Sequence, residues 1–153
     1  MERPYFPMFV DLSGKHIFVA GGGKIACRRI KSLLKFGAKI HVAAPRICEE
    51  TALLARQKPD DIEISVREYR PLDLDGMDLA IAATDDREVN RDIHAQCRER
   101  KIPVNVADDK TLCDFYFPSV VLTDEVVIGI GSGGGNPGRV KEVRKKIEKL
   151  TEI

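Results

Sequence analysis

Apolar positions along the chain switch between two spacings. Ile17-Phe18-Val19-Ala20 is a continuous apolar run, as in a strand buried on both faces, and it breaks into Gly21-Gly22-Gly23. Ile25, Ala26, Ile30, Leu33 and Leu34 then recur at helical spacing, with Gly37 placed to cap the helix end. Lys39 to Ala44 reads as a second strand stopped by Pro45, and a short helix is expected over 49–57, burying Ala52, Leu53 and Ala55. Ile62, Ile64 and Val66 alternate with Glu63, Ser65 and Arg67, the pattern of a strand with one solvated face near a sheet edge. Leu79 to Ala83 is again continuously apolar. Asp85 with Glu88 resembles a capping box opening a helix to Arg100, with Val89, Ile93 and Cys97 inward. Pro103 to Ala107 completes a β-α-β-α-β-β-α-β order. The expected fold is α/β, a Rossmann-like open parallel sheet with helices on both faces.

Beyond Lys110 the pattern changes. Two apolar runs, 115–122 and 126–130, are joined by Thr123-Asp124-Glu125 with no crossover helix, which predicts a β-hairpin. A second glycine-rich turn, Gly131 to Gly138, leads to a helix with Asn136 as N-cap and Pro137 as its first residue. That helix carries Val140, Val143, Ile147 and Leu150 on one stripe, which needs a partner surface. The expected division is a nucleotide-binding domain over 1–112 and a hairpin-plus-helix region over 113–153, serving dimerisation and substrate. The N-terminal Pro4 to Val10, apolar with two prolines, is expected to lie extended on a sheet edge or face.

Charge narrows the function classes. Lys plus Arg number 25 against 24 Asp plus Glu, so no global field favours nucleic acid or an anionic membrane. No apolar run is long enough to span a bilayer, and the first residues lack the pattern of a signal peptide; a cytoplasmic protein is expected. Cys27, Cys48, Cys97 and Cys113 are scattered with no C-x-x-C, as are His16, His41 and His94, so neither a disulfide framework nor a metal site is expected.

Gly21, Gly23 and Ala26, set between strand and helix, fit the G-x-G-x-x-A form of a dinucleotide turn. The glycines permit a tight turn and close approach of a pyrophosphate, Ala26 lets helix pack on strand, and the helix N-terminus faces the anion. Gly22 adds a third glycine that suits any loop. Ligands of open parallel sheets bind beyond the carboxyl ends of the strands. That rule gathers 21–26, Pro45-Arg46, Thr84-Asp85-Asp86 and 105–109 on one rim. The second strand ends Ala43-Ala44-Pro45-Arg46, without the usual ribose-binding acid. Arg46 could meet a 2′-phosphate, or ribose hydroxyls could meet backbone near Pro45. Asp108 is a carboxylate placed to take a proton, or merely a turn cap beside Asp109. The turn at Gly133 to Asn136 reads equally as an anion-accepting turn or a linker, and the basic residues of the last helix as a solvated or ligand-facing surface.

Taken in order, Pro7-Met8-Phe9-Val10-Asp11-Leu12, 19–26, Val42-Ala43-Ala44-Pro45, 80–86, 104–108, Phe117-Pro118-Ser119 and Ser132-Gly133-Gly134 make the chain resemble the dehydrogenase and ferrochelatase module of siroheme synthase, the precorrin-2 dehydrogenase family. The resemblance implies NAD-dependent oxidation of precorrin-2 to sirohydrochlorin, followed in some members by ferrous-ion insertion; the hairpin and the apolar stripe of the last helix suggest a homodimer, the alternative being a monomer in which that stripe packs within its own chain. Cofactor contacts are implied at Gly21, Gly22, Gly23, Lys24, Ile25, Ala26, Pro45, Arg46 and Thr84, and a catalytic carboxylate at Asp108. Asn105, Ser132, Gly133, Gly134 and Arg139 are implied on the substrate side, and the family uses NAD without an acid on the second strand. The chain departs from the family at Gly135-Asn136-Pro137-Gly138, where a Ser-Pro turn is usual. It also stops at Ile153, where relatives continue with further helices, so substrate closure, chelatase activity or both are expected to be absent or supplied by another chain. The competing expectations are a bifunctional iron-inserting enzyme and a non-enzymatic NAD(H)- or tetrapyrrole-binding sensor.

Overall fold

A computed structural model describes residues 3–151. Strands β1 (His16–Ala20), β2 (Lys39–Ala43), β3 (Ile62–Ser65), β4 (Leu79–Ala82) and β5 (Val104–Val106) form a parallel sheet in the order β3-β2-β1-β4-β5. Helices α1 (Lys24–Leu34), α2 (Glu49–Gln57) and α3 (Arg87–Arg100) make the crossovers, and one-turn 3-10 helices lie at Pro71–Leu74 and Lys110–Leu112. The Rossmann-like expectation holds.

Strand alternation divides the core between two faces. Phe18, Ala20, Ala43, Ala80, Ala82, Val104 and Val106 cluster with Ile93 and Cys97 of α3 and with Leu74. The alternate residues Ile17, Val19, Ile40, Val42 and Ile81 are equally buried and point to the other face. There α1 supplies Ala26, Cys27, Ile30 and Leu33. Such double burial is what the continuous apolar runs require. β3 lies at one edge, as its alternation indicated, although the strand ends at Ser65 and Val66 is exposed.

Two local expectations change. The cap of α3 is Asp86, one residue later than expected; its Oδ1 accepts from the amides of Glu88 (2.9 Å) and Val89 (3.3 Å). In α2 the fully buried residue is Thr51, while Leu53 is exposed, because this short helix docks by its first turn.

The chain divides into two compact units. One is Asp11–Phe115; the other joins the N-terminal segment up to Val10 to the chain from Tyr116 onward. Residues 113–115 stay with the sheet for a visible reason. The Asp114 amide donates to Val104 O (2.9 Å), its carboxylate accepts from Val104 N (2.9 Å), and Cys113 Sγ lies 3.2 Å from both Val106 N and Val106 O. This segment covers the exposed edge of β5. In the second unit, β6 (Ser119–Leu122) and β7 (Val127–Ile130) form the antiparallel hairpin, and α4 (Pro137–Thr151) packs on it. Asn136 caps α4 as expected, its Oδ1 accepting from Arg139 N at 2.9 Å. Tyr5 packs on Tyr116 in a tilted pair with ring centroids 4.6 Å apart and planes at 35°, tying the N-terminal segment to this unit, yet Phe6, Met8, Phe9 and Val10 remain exposed.

Candidate functional site

The register sets the strand ends level. Ala20 pairs with both Ala43 and Ala82, and Ala82 with Val106, so four strands finish on one row. Hydrogen bonds carry the order one residue further, with Gly21 N to Ala43 O (3.1 Å), Ala83 N to Ala20 O (2.8 Å) and Ala107 N to Ala82 O (2.9 Å). Two residues beyond these ends along the chain stand Gly22, Pro45, Thr84 and Asp108. The strand ends to which the strand-end rule points are therefore level.

Each glycine of the first turn answers a different demand. Gly21 has φ +123°, and a Cβ there would lie 2.2 Å from Ala83 O. At Gly22 a Cβ would fall 1.9 Å from Arg46 O, and Gly22 O accepts from Cys48 N at 2.8 Å. The third glycine is thus required by the loop after β2, a demand invisible along the chain. Gly23 is the opposite case: no protein atom lies within 4 Å of its Cβ position. It is the N-cap of α1 with no side-chain cap, and no acid occupies the first turn. The amides at the start of α1 therefore face open space at the positive end of the helix, an arrangement fitted to a pyrophosphate. Lys24 and Ile25 are exposed beside it and Ala26 is buried against the sheet. Pro45 and Arg46 are exposed on the loop whose backbone packs on Gly22.

Across the rim, Thr84 and Asp108 are joined by a residue that the sequence reading missed. Asn90, on the inner face of α3, is 1% exposed. Its Oδ1 accepts from Thr84 N (3.1 Å) and from Thr84 Oγ1 (2.6 Å), while its Nδ2 donates to Thr84 O (3.1 Å) and to Asp108 Oδ1 (3.1 Å). The backbone amide of Thr84 fixes the orientation of the Asn90 side-chain amide, so the donor must face Asp108. Arg87 Nε lies 3.4 Å from Asp108 Oδ2. Asp108 is therefore clamped on one oxygen and paired on the other, with its side chain one-third exposed toward the rim. Asp109 instead serves its own turn, accepting from Thr111 N (3.0 Å) and Thr111 Oγ1 (2.6 Å).

Asn105 sits below the rim. It is 3% exposed, its Nδ2 donates to Phe115 O (2.8 Å), and its Oδ1 has no hydrogen-bond partner among the described residues. Ser132, Gly133, Gly134 and Arg139 belong to the second unit, where Ser132 Oγ accepts from Asn136 N (3.0 Å) and Arg139 pairs with Glu142 (3.0 Å). Gly133 and Gly134 have positive φ, so this stretch is a defined turn. Among the described residues no group of three or more His, Cys, Asp or Glu side chains is placed to hold a metal, and no helix is long and apolar enough to cross a membrane. His16 and His41, distant in sequence, meet at 2.8 Å, with Glu63 3.2 Å from His41; this row starts at the first residue of β1, away from the rim.

Known proteins resemble this chain. Over 146 residues, 95% of this chain, the siroheme synthase of Photorhabdus laumondii subsp. laumondii is 40% identical. The probable multifunctional siroheme biosynthesis protein HemA of Ruminiclostridium josui is 42% identical over 148 residues. The chain spans roughly a third of the length of these relatives, 31% and 28% respectively. Among solved structures, SirC, a precorrin-2 dehydrogenase, superposes with TM-score 0.77 at 25% identity, covering 95% of this chain and 71% of that one. Residues 8–119 match the model of a family described as "Putative NAD(P)-binding". The glycine turn, the level rim and that match converge: the chain belongs to this NAD(P)-binding family.

Proposed function

We propose that the chain oxidises precorrin-2 to sirohydrochlorin with NAD, as a cytoplasmic step of siroheme biosynthesis. The observation that carries this reading is the Asn90-clamped carboxylate of Asp108, two residues beyond a strand end that is level with the end feeding the glycine turn. Bound NAD supplies the hydride acceptor. Gly23 and the first amides of α1 hold its pyrophosphate, with Lys24, Ile25, Pro45, Arg46 and Thr84 around it. Asp108 takes the proton that leaves the substrate as hydride departs, and Arg87 and Asn90 hold its two oxygens in place. A residue at a strand end is fixed by the sheet, which gives the orientation that such a transfer needs. Relatives named for siroheme synthesis and the SirC likeness support the substrate. We assign further substrate contacts to Asn105, Ser132, Gly133, Gly134 and Arg139; the exposed Arg139 suits the carboxylates of a tetrapyrrole. The test is NADH formation from NAD and precorrin-2, with NADP in parallel. NADH appearing only when both reactants are present supports the reading, and tight NAD binding without turnover would instead favour a sensor.

The chain acts as a homodimer through its second unit. Exposed large apolar side chains concentrate there, at Phe6, Met8, Phe9, Val126 and Leu150. Light scattering at micromolar concentration gives twice the chain mass on this reading, and a strict monomer contradicts it.

A further inference from the structure

We propose that Cys27 and Cys48 form a hydroperoxide-reactive dithiol site that closes to a disulfide and thereby disturbs the dinucleotide turn. The two residues are far apart in sequence and on different elements, Cys27 in α1 and Cys48 at the N-cap of α2, yet their thiols meet the side chains of two adjacent residues, Glu50 and Thr51. They share one small polar cluster. Cys27 Sγ donates to Glu50 Oε2 at 3.3 Å, Cys48 Sγ lies 3.2 Å from Thr51 Oγ1, and Lys31 pairs with Glu50. Thr51 is fully buried, so the cluster is fixed from beneath.

The two thiols are unequal, as a reactive and a resolving thiol must be. The Thr51 hydroxyl, aided by the amides of Thr51 and Glu50 at the start of α2, pulls the Cys48 thiol below its ordinary value. Burial pushes the Cys27 thiol up. Cys48 is part-exposed and Cys27 is 2% exposed, so an oxidant reaches Cys48 first. The Cys48 thiolate attacks a hydroperoxide: an S–O bond forms, the O–O bond breaks, and the hydroxide or alkoxide that leaves takes up the proton lost when the Cys48 thiol ionised, departing as water or an alcohol. Cys27 sulfur then attacks Cys48 sulfur, expelling hydroxide, while the Cys27 proton passes by way of Glu50 to that hydroxide as water. Two thiols lose two electrons and the peroxide gains them.

The backbone links this chemistry to the turn. Cys48 N donates to Gly22 O (2.8 Å) and Cys27 N donates to Gly23 O (3.0 Å). Both cysteines thus hold the carbonyls of the glycines that receive the dinucleotide. Closing the sulfurs to a bond of about 2.05 Å draws the β2–α2 loop toward α1. That loop already touches Gly22 so closely that a methyl group would not fit, so the turn must move.

The test treats the whole chain with hydrogen peroxide, blocks remaining thiols with iodoacetamide and maps the digest by mass spectrometry. The expected product is a Cys27–Cys48 linked peptide pair lighter by two hydrogens. Cys27→Ser should stop at a Cys48 sulfenic acid that dimedone captures, and Cys48→Ser should leave Cys27 unoxidised. NAD affinity of the oxidised chain should fall by at least about fivefold, since small displacements at positioned sites cost up to about a hundredfold, and dithiothreitol should restore it. Absence of the linked pair, or equal oxidation of Cys97 and Cys113, overturns the dithiol. A linked chain with unchanged NAD affinity overturns its effect on the turn. The linked-peptide readout needs no dinucleotide, so it fails or holds separately from the cofactor assignment.

Discussion

Substituting alanine at Gly23 and, in a second variant, at Gly22 separates the demands of ligand and fold. At Gly23 the new methyl meets no protein atom within 4 Å, and φ −89° with ψ −167° is extended backbone open to any residue. Alanine is a poorer N-cap than glycine by up to about 1 kcal/mol, and its stiffer unfolded chain returns about 0.4–1 kcal/mol. The net change in stability is then within about 1 kcal/mol, a Tm shift of no more than about 4 °C for a chain of this size. The methyl does, however, occupy the space where a pyrophosphate must approach the helix amides. Losing one charge-assisted hydrogen bond costs about 1.5–3 kcal/mol, or roughly 10- to 100-fold in Kd for NAD. Gly22→Ala behaves differently, because its Cβ would lie 1.9 Å from Arg46 O with backbone on both sides. Overpacking of this kind costs about 1–3 kcal/mol, and Tm should fall by roughly 3–10 °C. Scanning calorimetry reads stability and titration calorimetry reads NAD binding. Wild-type affinity in Gly23→Ala would refute the pyrophosphate assignment, and an unchanged Tm in Gly22→Ala would refute the packing argument.

Asn90→Asp keeps an acceptor for Thr84 but replaces the donor facing Asp108 with a second carboxylate; turnover should fall about a hundredfold, with the pH–rate profile moved toward higher pH as like charges raise the carboxyl pKa and NAD affinity changed little. A wild-type pH profile would remove Asn90 as a positioning residue. The Asp73 carboxylate, 13% exposed, is held below its ordinary value of 3.8 by paired hydrogen bonds from Arg67. A depressed folded pKa gives stability that is present above the unfolded value and is lost as pH falls through the folded one. Asp73→Asn should therefore cost about 1–3 kcal/mol at neutral pH and flatten the acid limb of stability below about pH 4. Thermal melts from pH 2 to 7, roughly the span of carboxylate titration, check this, and an unchanged acid limb would refute it.

The sheet was legible in the sequence because strands buried on both faces leave unbroken apolar runs, and because strand, glycines and helix follow one another along the chain. Register then sets the ends of β4 and β5 level with the end of β1, so that Thr84 and Asp108 each follow a level strand end. Asn90 was not legible: an asparagine within a charged helix reads as solvated, and its burial is matched by partners on other segments, Thr84 after β4 and Asp108 after β5. The fixed identity of Gly22 was hidden likewise, since the carbonyl that excludes a side chain comes from Arg46 on another loop. Cys27 and Cys48 looked scattered for the same reason, as the α1–α2 contact that joins them has no local signature. Asp86 rather than Asp85 caps α3 because both are acids of equal propensity, and only the backbone path decides between them.

On the proposed reading, Asp108 performs the proton chemistry and the dinucleotide turn binds independently of it. The most direct measurement is NADH formation from NAD and precorrin-2 by the wild-type chain and by Asp108→Ala, with NAD binding measured on both. The expected result is turnover by the wild type, a fall of about 10²–10⁴-fold in the variant as for loss of a general base, and NAD affinity within about threefold of wild type. Turnover in Asp108→Ala equal to wild type would contradict it.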